Sequence, residues 1–334
     1  MNMNRVAITG GAGFIGLHLA RDLAGLGARV DLIDDLSRGA RDADLEAALA
    51  LPGVRLVARD LTRSGALDDL GDGYDAIFHF AALVGVANVG RRPYEVLTRN
   101  VAMTVAALGL AARQRALRRF VFASTSEVYA PALAEGRLAV PTPEDAPLAL
   151  PDLGRPRASY LLSKLYGEAL CRHAGVPVTI VRPHNVYGPR MGLAHVVPEL
   201  LQRAHAAPVG GRLDVYSVEH TRTFCFVDDA VELIRRAAAA PEAAWATLNV
   251  GAPAPEVTIG TLAEAIVAVV GKPLSIVPRP PAEGSPARRC PDMTRSTAIT
   301  GYRARVALAD GLARTYAWYR AHAFADAAQA AAGG

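Results

Sequence analysis

Two residues with complementary acid–base chemistry, Tyr160 and Lys164, lie four positions apart in the segment SYLLSKLYGEAL. In a helix this spacing places both side chains on one face. A lysine ammonium group near a phenol stabilises the phenolate and lowers its pKa from about 10 toward neutrality. The phenolate can then remove a proton from a hydroxyl group while hydride leaves the same carbon atom. The spacing is also common in purely structural helices, so the interpretation depends on the rest of the chain.

A second polar group follows an apolar run in FASTSEVYA, residues 122–130. The hydroxyl residues Ser124, Thr125 and Ser126 and the carboxylate Glu127 stand where a strand is predicted to end. Polar residues at a strand end can simply mark a turn. If they form the floor of an active site, Glu127 is a candidate general acid or base.

A glycine-rich segment, TGGAGFIG from Thr9 to Gly16, lies between the first predicted strand and an amphipathic helix. Glycines in this context let the backbone approach a pyrophosphate at the amino terminus of the helix. We therefore predict a dinucleotide site formed by Gly10, Gly13, Phe14, Ile15 and Gly16.

Acidic residues at the end of the second predicted strand indicate which dinucleotide binds. Asp34 and Asp35 lie 24 and 25 residues after Gly10. An acidic side chain there suits the ribose 2′-hydroxyl group of NAD and repels the 2′-phosphate of NADP, so we predict NAD. Arg38 is the argument for NADP. Asp60, at the end of the third predicted strand, could face the adenine or cap the next helix.

Six apolar runs that alternate with helical patterns must position these residues. Parallel strands joined by helical crossovers are predicted, hence an α/β fold with a doubly wound, Rossmann-type sheet over residues 1–182. The runs are RVAITG, ARVDLID, VRLVAR, DAIFHF, RRFVFAS and VPVTIVRP.

The remainder of the chain is less regular. We predict a long loop beside the site over Ala130–Arg157, a smaller mixed α/β lobe that binds substrate over residues 183–325, and a flexible tail over residues 326–334. A chain crossover between the two lobes is compatible with this pattern. Thr258 is the predicted N-cap of a helix in the smaller lobe.

Composition excludes several classes of protein. With 51% apolar and 20% charged residues, the chain is compact rather than disordered. Three widely spaced cysteines form neither a disulfide framework nor a metal pair, and the histidines match no zinc spacing, so we expect no metal. The amino terminus lacks a secretory signal, and the longest apolar run, Val101 to Ala112, is shorter than the about 20 residues of a membrane span. We expect a cytoplasmic protein that binds neither membrane nor nucleic acid.

The ordered motifs resemble one known family. These are TGGAGFIG, LIDDLSRG, FHFAALVG, STSEVY, SYLLSKLYGE, RPHNVYGPRMG, RTFCFVDDA and GSPARRCPDM. From Arg5 to about Arg320 the chain is similar to the extended short-chain dehydrogenases that act on nucleotide sugars, the NAD-dependent epimerase/dehydratases.

This resemblance implies roles for particular residues. Thr125 would hold O4 of the sugar, Tyr160 would be the base and Lys164 its partner. Further cofactor residues would be Leu61, Ala81, Ala82 and Asn100, and further substrate residues would be Val84, Ser126, Asn185, Arg222 and Arg289. The arginines suit a diphosphate, and the expected substrate is a nucleotide-diphosphate sugar, best a UDP-sugar.

Three reactions remain open within the family. A carboxylate at Glu127 favours proton chemistry at C5, as in decarboxylases of UDP-glucuronate and in 4,6-dehydratases. Ser126 stands where many dehydratases carry an aspartic acid, which weakens that alternative, whereas decarboxylation of a β-keto acid needs no such acid. The segment ALVGVANVGRRPYEVL resembles the 4-epimerases. We favour the decarboxylase.

Two alternatives lie outside this reaction type: a dinucleotide-sensing scaffold protein without catalysis, and a single-domain reductase that releases its cofactor. The presence of both Tyr160 and Lys164 argues against the first, and the second lobe argues against the other. By the same resemblance we expect a homodimer that pairs through two helices, about Arg92–Arg113 and Arg157–His173.

Overall fold

The computed structural model describes residues 3–38, 41–281 and 286–324. The predicted tail at 326–334 therefore lies outside the described residues. Within them, seven parallel strands form the central sheet in the spatial order β11-β6-β5-β4-β1-β2-β3. These strands are β1 (Arg5–Thr9), β2 (Arg29–Asp34), β3 (Val54–Ala58), β4 (Ala76–His79), β5 (Arg119–Ala123), β6 (Val178–Pro183) and β11 (Thr247–Val250).

The central strands are largely apolar, as expected for a parallel sheet that helices cover on both faces. Val6, Ala7 and Ile8 of β1 are completely buried. The covering and connecting helices are α1 (Phe14–Gly25), α2 (Ala43–Leu49), α3 (Val86–Arg91), α4 (Pro93–Ala112), α5 (Ala130–Ala134), α6 (Ala158–His173), α7 (Val196–Ala206) and α8 (Val227–Ala239). All six predicted strands are present, and the predicted doubly wound fold is confirmed.

The second half of the chain adds short sheets and three more helices. The strands are β7 (Val186–Tyr187), β8 (Arg212–Tyr216), β9 (Thr221–Arg222), β10 (Cys225–Phe226), β12 (Val257–Thr258), β13 (Ser275–Arg279) and β14 (Arg288–Arg289), and the helices are α9 (Ile259–Val270), α10 (Thr294–Thr300) and α11 (Leu308–His322). Thr258 caps α9 as predicted, accepting a hydrogen bond from the Thr261 N–H group over 2.9 Å.

The chain crosses between the two halves. Strand β11 comes after the predicted boundary at residue 182, yet it pairs in parallel with β6 in the central sheet. In the opposite direction, Thr142 forms a bridge with Pro291. The division into two lobes at residue 182 therefore stays a prediction, and it is one that allows for a chain crossover between the lobes.

The segment predicted as a loop from Ala130 begins differently. A 3₁₀ helix over Ser126–Tyr129 runs into α5, which has a proline in its first turn. Proline is well accepted there because the first N–H groups of a helix have no partner within it. Residues 135–157 contain neither helix nor strand, as predicted.

Helix α4 is longer than the apolar run recognised in the sequence. Its 20 residues make it, among the described residues, a helix long and apolar enough to cross a membrane by length and composition alone. Its buried residues include the polar side chains of Asn100 and Thr104. It packs beside α6. Helices α4 and α6 are the two that are predicted to form the dimer interface.

Candidate active site

A cleft of about 1500 Å³ opens at the carboxyl ends of the central strands. Its walls are the glycine-rich loop after β1, the end of β2, the segments after β4 and β5, one face of α6 and the segment after β6. In open α/β sheets, ligands bind at this edge.

The glycine-rich loop has no room for side chains. Gly10 has φ +69°, and a Cβ atom on it would lie 2.6 Å from the Ala81 nitrogen. A Cβ atom on Gly16 would lie 2.4 Å from the Gly10 carbonyl oxygen. The loop leads directly into α1, whose N-cap is Gly13. The backbone N–H groups at this helix terminus can therefore approach a pyrophosphate closely, which fits NAD.

Asp34 links the end of β2 to that loop. Its Oδ2 atom accepts a hydrogen bond from the Ala12 N–H group over 3.1 Å, and its Oδ1 atom accepts one from the Leu36 N–H group over 2.9 Å. Burial raises the pKa of Asp34, an effect that these two N–H donors oppose. Asp35 is exposed and accepts hydrogen bonds from Ser37. Asp34, Asp35 and Arg38 all line the cleft.

Arg190 contacts the glycine-rich loop from the second half of the chain, a role that the sequence did not reveal. Its Nη1 atom donates to the Ala12 carbonyl oxygen over 2.5 Å, and its Nε atom donates to Asp42 Oδ2 over 2.7 Å. Arg190 has φ +68°, an uncommon conformation for a residue with a side chain. The motif YGPRMG was noticed only for its resemblance, because nothing local indicates a contact 178 residues away.

Tyr160 and Lys164 lie on α6 and both line the cleft. The Lys164 Nζ atom donates a hydrogen bond to the Ala123 carbonyl oxygen over 2.7 Å. It lies 5.9 Å from the centre of the Tyr160 ring. Burial lowers the pKa of Lys164 to about 8, so most of the lysine is still protonated at pH 7.

The pKa of Tyr160 differs from the sequence-based expectation. Burial and the negative charge of Glu127 raise it to about 12, although the Thr125 hydroxyl group and Arg38 oppose the increase. The prediction considered only the attraction of Lys164, whereas the protein's own groups together disfavour the phenolate. In this structure the neutral phenol is therefore the favoured form of Tyr160 at neutral pH.

The turn after β5 presents Thr125 and Glu127 to the cleft. Thr125 is the N-cap of the 3₁₀ helix, and its Oγ1 atom accepts a hydrogen bond from the Glu127 N–H group over 3.2 Å. Glu127 Oε1 accepts from Arg289 Nη1 over 2.7 Å, and Oε2 accepts from Arg157 Nη2 over 3.0 Å. Burial alone would raise the pKa of Glu127, but the two arginines lower it to about 2. The carboxylate is therefore ionised at neutral pH.

Arg157 was missed by the sequence interpretation. It precedes α6 directly and lies three residues before Tyr160. Arg157 was interpreted only as the end of the long loop and the start of a helix at the dimer interface. A basic residue one helical turn before a candidate base was the available signal.

Most of the predicted residues meet in this one cleft. Those that line it are Gly10, Gly13, Phe14, Ile15, Gly16, Asp34, Asp35, Leu61, Ala81, Ala82, Val84, Thr125, Ser126, Glu127, Tyr160, Lys164, Asn185 and Arg289. Asn185 also donates to the Thr223 carbonyl oxygen over 2.9 Å.

Three predicted residues, Asp60, Asn100 and Arg222, do not line this cleft. Asp60 Oδ1 accepts hydrogen bonds from the backbone N–H and hydroxyl groups of Thr62. The alternative that Asp60 caps the next helix is wrong, because turns and no helix follow it before β4. Asn100 accepts from the Leu83 N–H group over 2.6 Å and donates to Ser163 Oγ over 3.1 Å, so it positions the loop after β4 against α6.

Arg222 is the third, and it is buried. Its guanidinium group donates to the carbonyl oxygens of Thr221, Pro286 and Ala287. Burial and the neighbouring Arg289 lower its pKa to about 10. These contacts hold the segment before β14, and a contact of Arg222 with a diphosphate stays a prediction.

A buried ion pair supports helix α6 from the side away from the cleft. The Arg182 Nε and Nη2 atoms donate to the two oxygens of Glu168 over 2.9 and 2.8 Å. Glu168 Oε1 also accepts from Ser124 Oγ over 2.6 Å. Because Glu168 follows Lys164 by one helical turn and Ser124 precedes Thr125, the pair fixes α6 against the end of β5.

The described residues contain no group of three or more His, Cys, Asp or Glu side chains that could hold a metal ion. Cys171, Cys225 and Cys290 are free and buried. Burial raises the pKa of Cys171 to about 12, so this thiol is not a nucleophile at neutral pH.

Comparisons with known proteins agree with this geometry. The profile of the NAD dependent epimerase/dehydratase family matches residues 6–251. UDP-N-acetyl-alpha-D-glucosaminuronate decarboxylase of Bacillus cytotoxicus is 32% identical, over 95% of this chain and 98% of its own. The dTDP-glucose 4,6-dehydratase of Streptomyces niveus is 33% identical, over 95% and 93%. A crystal structure of UDP-galactose 4-epimerase superposes with a TM-score of 0.78 at 29% identity, over 95% of this chain and 99% of that one.

Proposed function

This chain belongs to the NAD-dependent epimerase/dehydratase family, and from that premise we propose that it decarboxylates a UDP-linked hexuronate. The observation that carries the proposal is Glu127, held between Arg289 and Arg157 in the cleft that also contains Tyr160. A decarboxylase relative of nearly equal length supports it.

The glycine-rich loop, with Asp34 and Asp35 at the end of β2, would hold NAD. When bound, NAD would supply the hydride acceptor for C4 of the sugar and, in its reduced form, the hydride donor. Arg190, in contact with the carbonyl groups of this loop, adds positive charge on the side where a pyrophosphate would bind.

At C4, Tyr160 would take the proton of the 4-hydroxyl group while Thr125 orients that group. Lys164 would stabilise the phenolate form that accepts this proton by its charge, from its fixed position on the Ala123 carbonyl oxygen. The same three residues would serve the reduction of C4, with Tyr160 giving the proton back.

Between these two steps, the ketone at C4 makes the C6 carboxylate part of a β-keto acid. The C5–C6 bond breaks, CO₂ leaves, and the bonding electrons form an enolate over C5, C4 and O4. C5 then takes one proton, so the net reaction consumes one proton per CO₂. We assign delivery of this proton to Glu127: its carboxylate takes one proton from solvent, passes it to C5 and is ionised again afterwards. No acid is needed for the leaving group, which suits Ser126.

A 4-epimerase is the second candidate. The specific observation in its favour is the segment after β4, which resembles the epimerases and which includes Val84 on the cleft wall. In that reaction the 4-keto sugar rotates in the cleft before the hydride returns to C4, and the bonds at C5 and C6 are not broken.

The test is incubation of the purified protein in D₂O with UDP-glucuronate, UDP-N-acetylglucosaminuronate and dTDP-glucose, followed by NMR of the products. We expect a UDP-pentose, or its N-acetylated amino analogue, with CO₂ released and one deuteron at C5. A hexuronate with inverted C4 and no deuterium at C5 would establish the epimerase. A 4-keto-6-deoxy sugar from dTDP-glucose would establish the dehydratase.

We also propose a homodimer that pairs through α4 and α6. These adjacent helices expose the apolar side chains of Tyr94, Val105 and Tyr166. Exposed apolar side chains on one face are typical of a surface that a partner subunit covers. Val105→Glu should give a monomer in light scattering, whereas Leu26→Glu, an equally exposed apolar site on another face, should not. We propose in addition that the chain divides into two lobes at residue 182 and that the protein is cytoplasmic.

A further inference from the structure

We propose that Arg157 is the specificity-determining residue for the C6 carboxylate of the substrate, and that it leaves Glu127 to bind that carboxylate. This inference rests on the proposed function. It concerns a residue that the family motifs quoted above do not assign.

The two arginines that hold Glu127 differ in freedom. Arg289 is 8% exposed and belongs to strand β14, which pairs with β9. Arg157 is 58% exposed and lies between the irregular segment 135–157 and α6. Arg157 can therefore change partner by rotation of its own side chain, whereas Arg289 is held by its strand.

Charge also favours an exchange. Glu127 carries one negative charge, and the two guanidinium groups bonded to it carry two positive charges. A hexuronate brings a second carboxylate to the cleft, which gives each arginine its own anionic partner. A neutral hexose offers only a hydroxyl group, and it cannot replace Glu127 as a charge-assisted acceptor.

The exchange would link recognition to chemistry. With both arginines bound, Glu127 is a weak base, because the two positive charges stabilise its ionised form. Transfer of Arg157 to the substrate removes one of them and makes Glu127 a better proton carrier for C5. Arg157 is the N-cap of α6 and precedes Tyr160 by three residues, so the two residues are about 4.5 Å apart along the helix axis.

A matched control lies two residues earlier. Arg155 also lines the cleft and is 64% exposed, but its ion pair is with Asp152, over 3.4 Å. Arg155→Met and Arg157→Met therefore remove the same charge from the same rim, and only the second touches Glu127.

The experiment measures binding by calorimetry in a Tyr160→Phe background loaded with NAD, so that no turnover occurs. Arg157→Met should weaken binding of UDP-glucuronate about 10- to 100-fold, as expected for a charge-assisted hydrogen bond, and change binding of UDP-glucose less than about threefold. Arg155→Met should change both by less than about threefold. Arg157→Lys, which keeps the charge, should restore part of the preference, and circular dichroism checks that each variant is folded.

Equal losses for both sugars, or equal losses in the two methionine variants, would overturn the inference. Its outcome is separable from that of the proposed function. Wild-type protein that binds UDP-glucuronate through Arg157 without releasing CO₂ supports the inference and contradicts the decarboxylase. Release of CO₂ with no dependence of sugar preference on Arg157 supports the decarboxylase and contradicts the inference.

Discussion

Two carboxylates near Tyr160 and Lys164 are both held by arginine, and they differ in almost every other respect. Glu168 and Arg182 are 5% and 2% exposed and bond through both carboxylate oxygens. Glu127 is 24% exposed and binds two arginines through one oxygen each. The first pair does not line the cleft, whereas Glu127 of the second does.

The difference shows how one kind of ion pair serves two purposes. A buried pair with all its hydrogen bonds made has a single geometry, and removing one partner leaves a charge that water cannot reach. A pair at the cleft can exchange its partner for a ligand, because water and substrate replace what is lost. We therefore expect changes at Glu168 or Arg182 to reduce stability, and changes at Glu127 to reduce activity.

The largest expected effect is on turnover, in Tyr160→Phe. Removal of the phenol hydroxyl group eliminates the proton acceptor between the two carboxylates and leaves both ion pairs in place. Turnover should fall by about 10⁴-fold, the upper range for one acid–base group. The free energy of unfolding and the amount of NAD retained through gel filtration should be unchanged. Residual activity above a few per cent would show that Tyr160 is not the base.

Arg182→Met should cost about 3–5 kcal/mol of the free energy of unfolding, measured by urea titration, because it leaves the Glu168 charge buried and unpaired. The double variant Arg182→Met/Glu168→Leu should recover much of this loss by removing that charge. An Arg182→Met protein with wild-type stability would contradict the structural role assigned to the buried pair.

For Glu127→Gln we expect the opposite of Arg182→Met, a loss of activity with little loss of stability. Hydride transfer from C4 should persist because Thr125, Tyr160 and Lys164 are untouched, and the later step should slow at least about 10²-fold. Bound NADH would then accumulate, which is followed by its absorbance at about 340 nm. Unfolding free energy should change by less than about 1 kcal/mol, since the side chain is partly exposed. Normal turnover with UDP-glucuronate would show that Glu127 is only a polar residue at the end of a strand.

The sequence was sufficient for the elements whose signal is local. The six predicted strands, the Thr258 cap and the glycine-rich loop each depend on neighbouring residues, and all are present. The partners of Glu127 depend on the tertiary fold, because Arg157 and Arg289 are 30 and 162 residues away. The same holds for the raised pKa of Tyr160, which follows from burial and not from its spacing to Lys164. Apolar periodicity predicts what is buried, but not which polar groups meet.

The smallest expected effect is at a third carboxylate, Asp34, which is intermediate between the other two. It is partly buried and holds the Ala12 N–H group, yet it also lines the cleft. Asp34→Ala should weaken NAD about tenfold through loss of a ribose hydrogen bond, and it should improve the relative use of NADP by removing charge repulsion. Asp35→Ala is the matched control, because the exposed Asp35 bonds only to Ser37 among the contacts described above. Dissociation constants for both dinucleotides from fluorescence titration decide the case. If Asp35→Ala changes the preference and Asp34→Ala does not, the second acidic residue is the selector, and Asp34 joins Glu168 as a carboxylate that serves the fold.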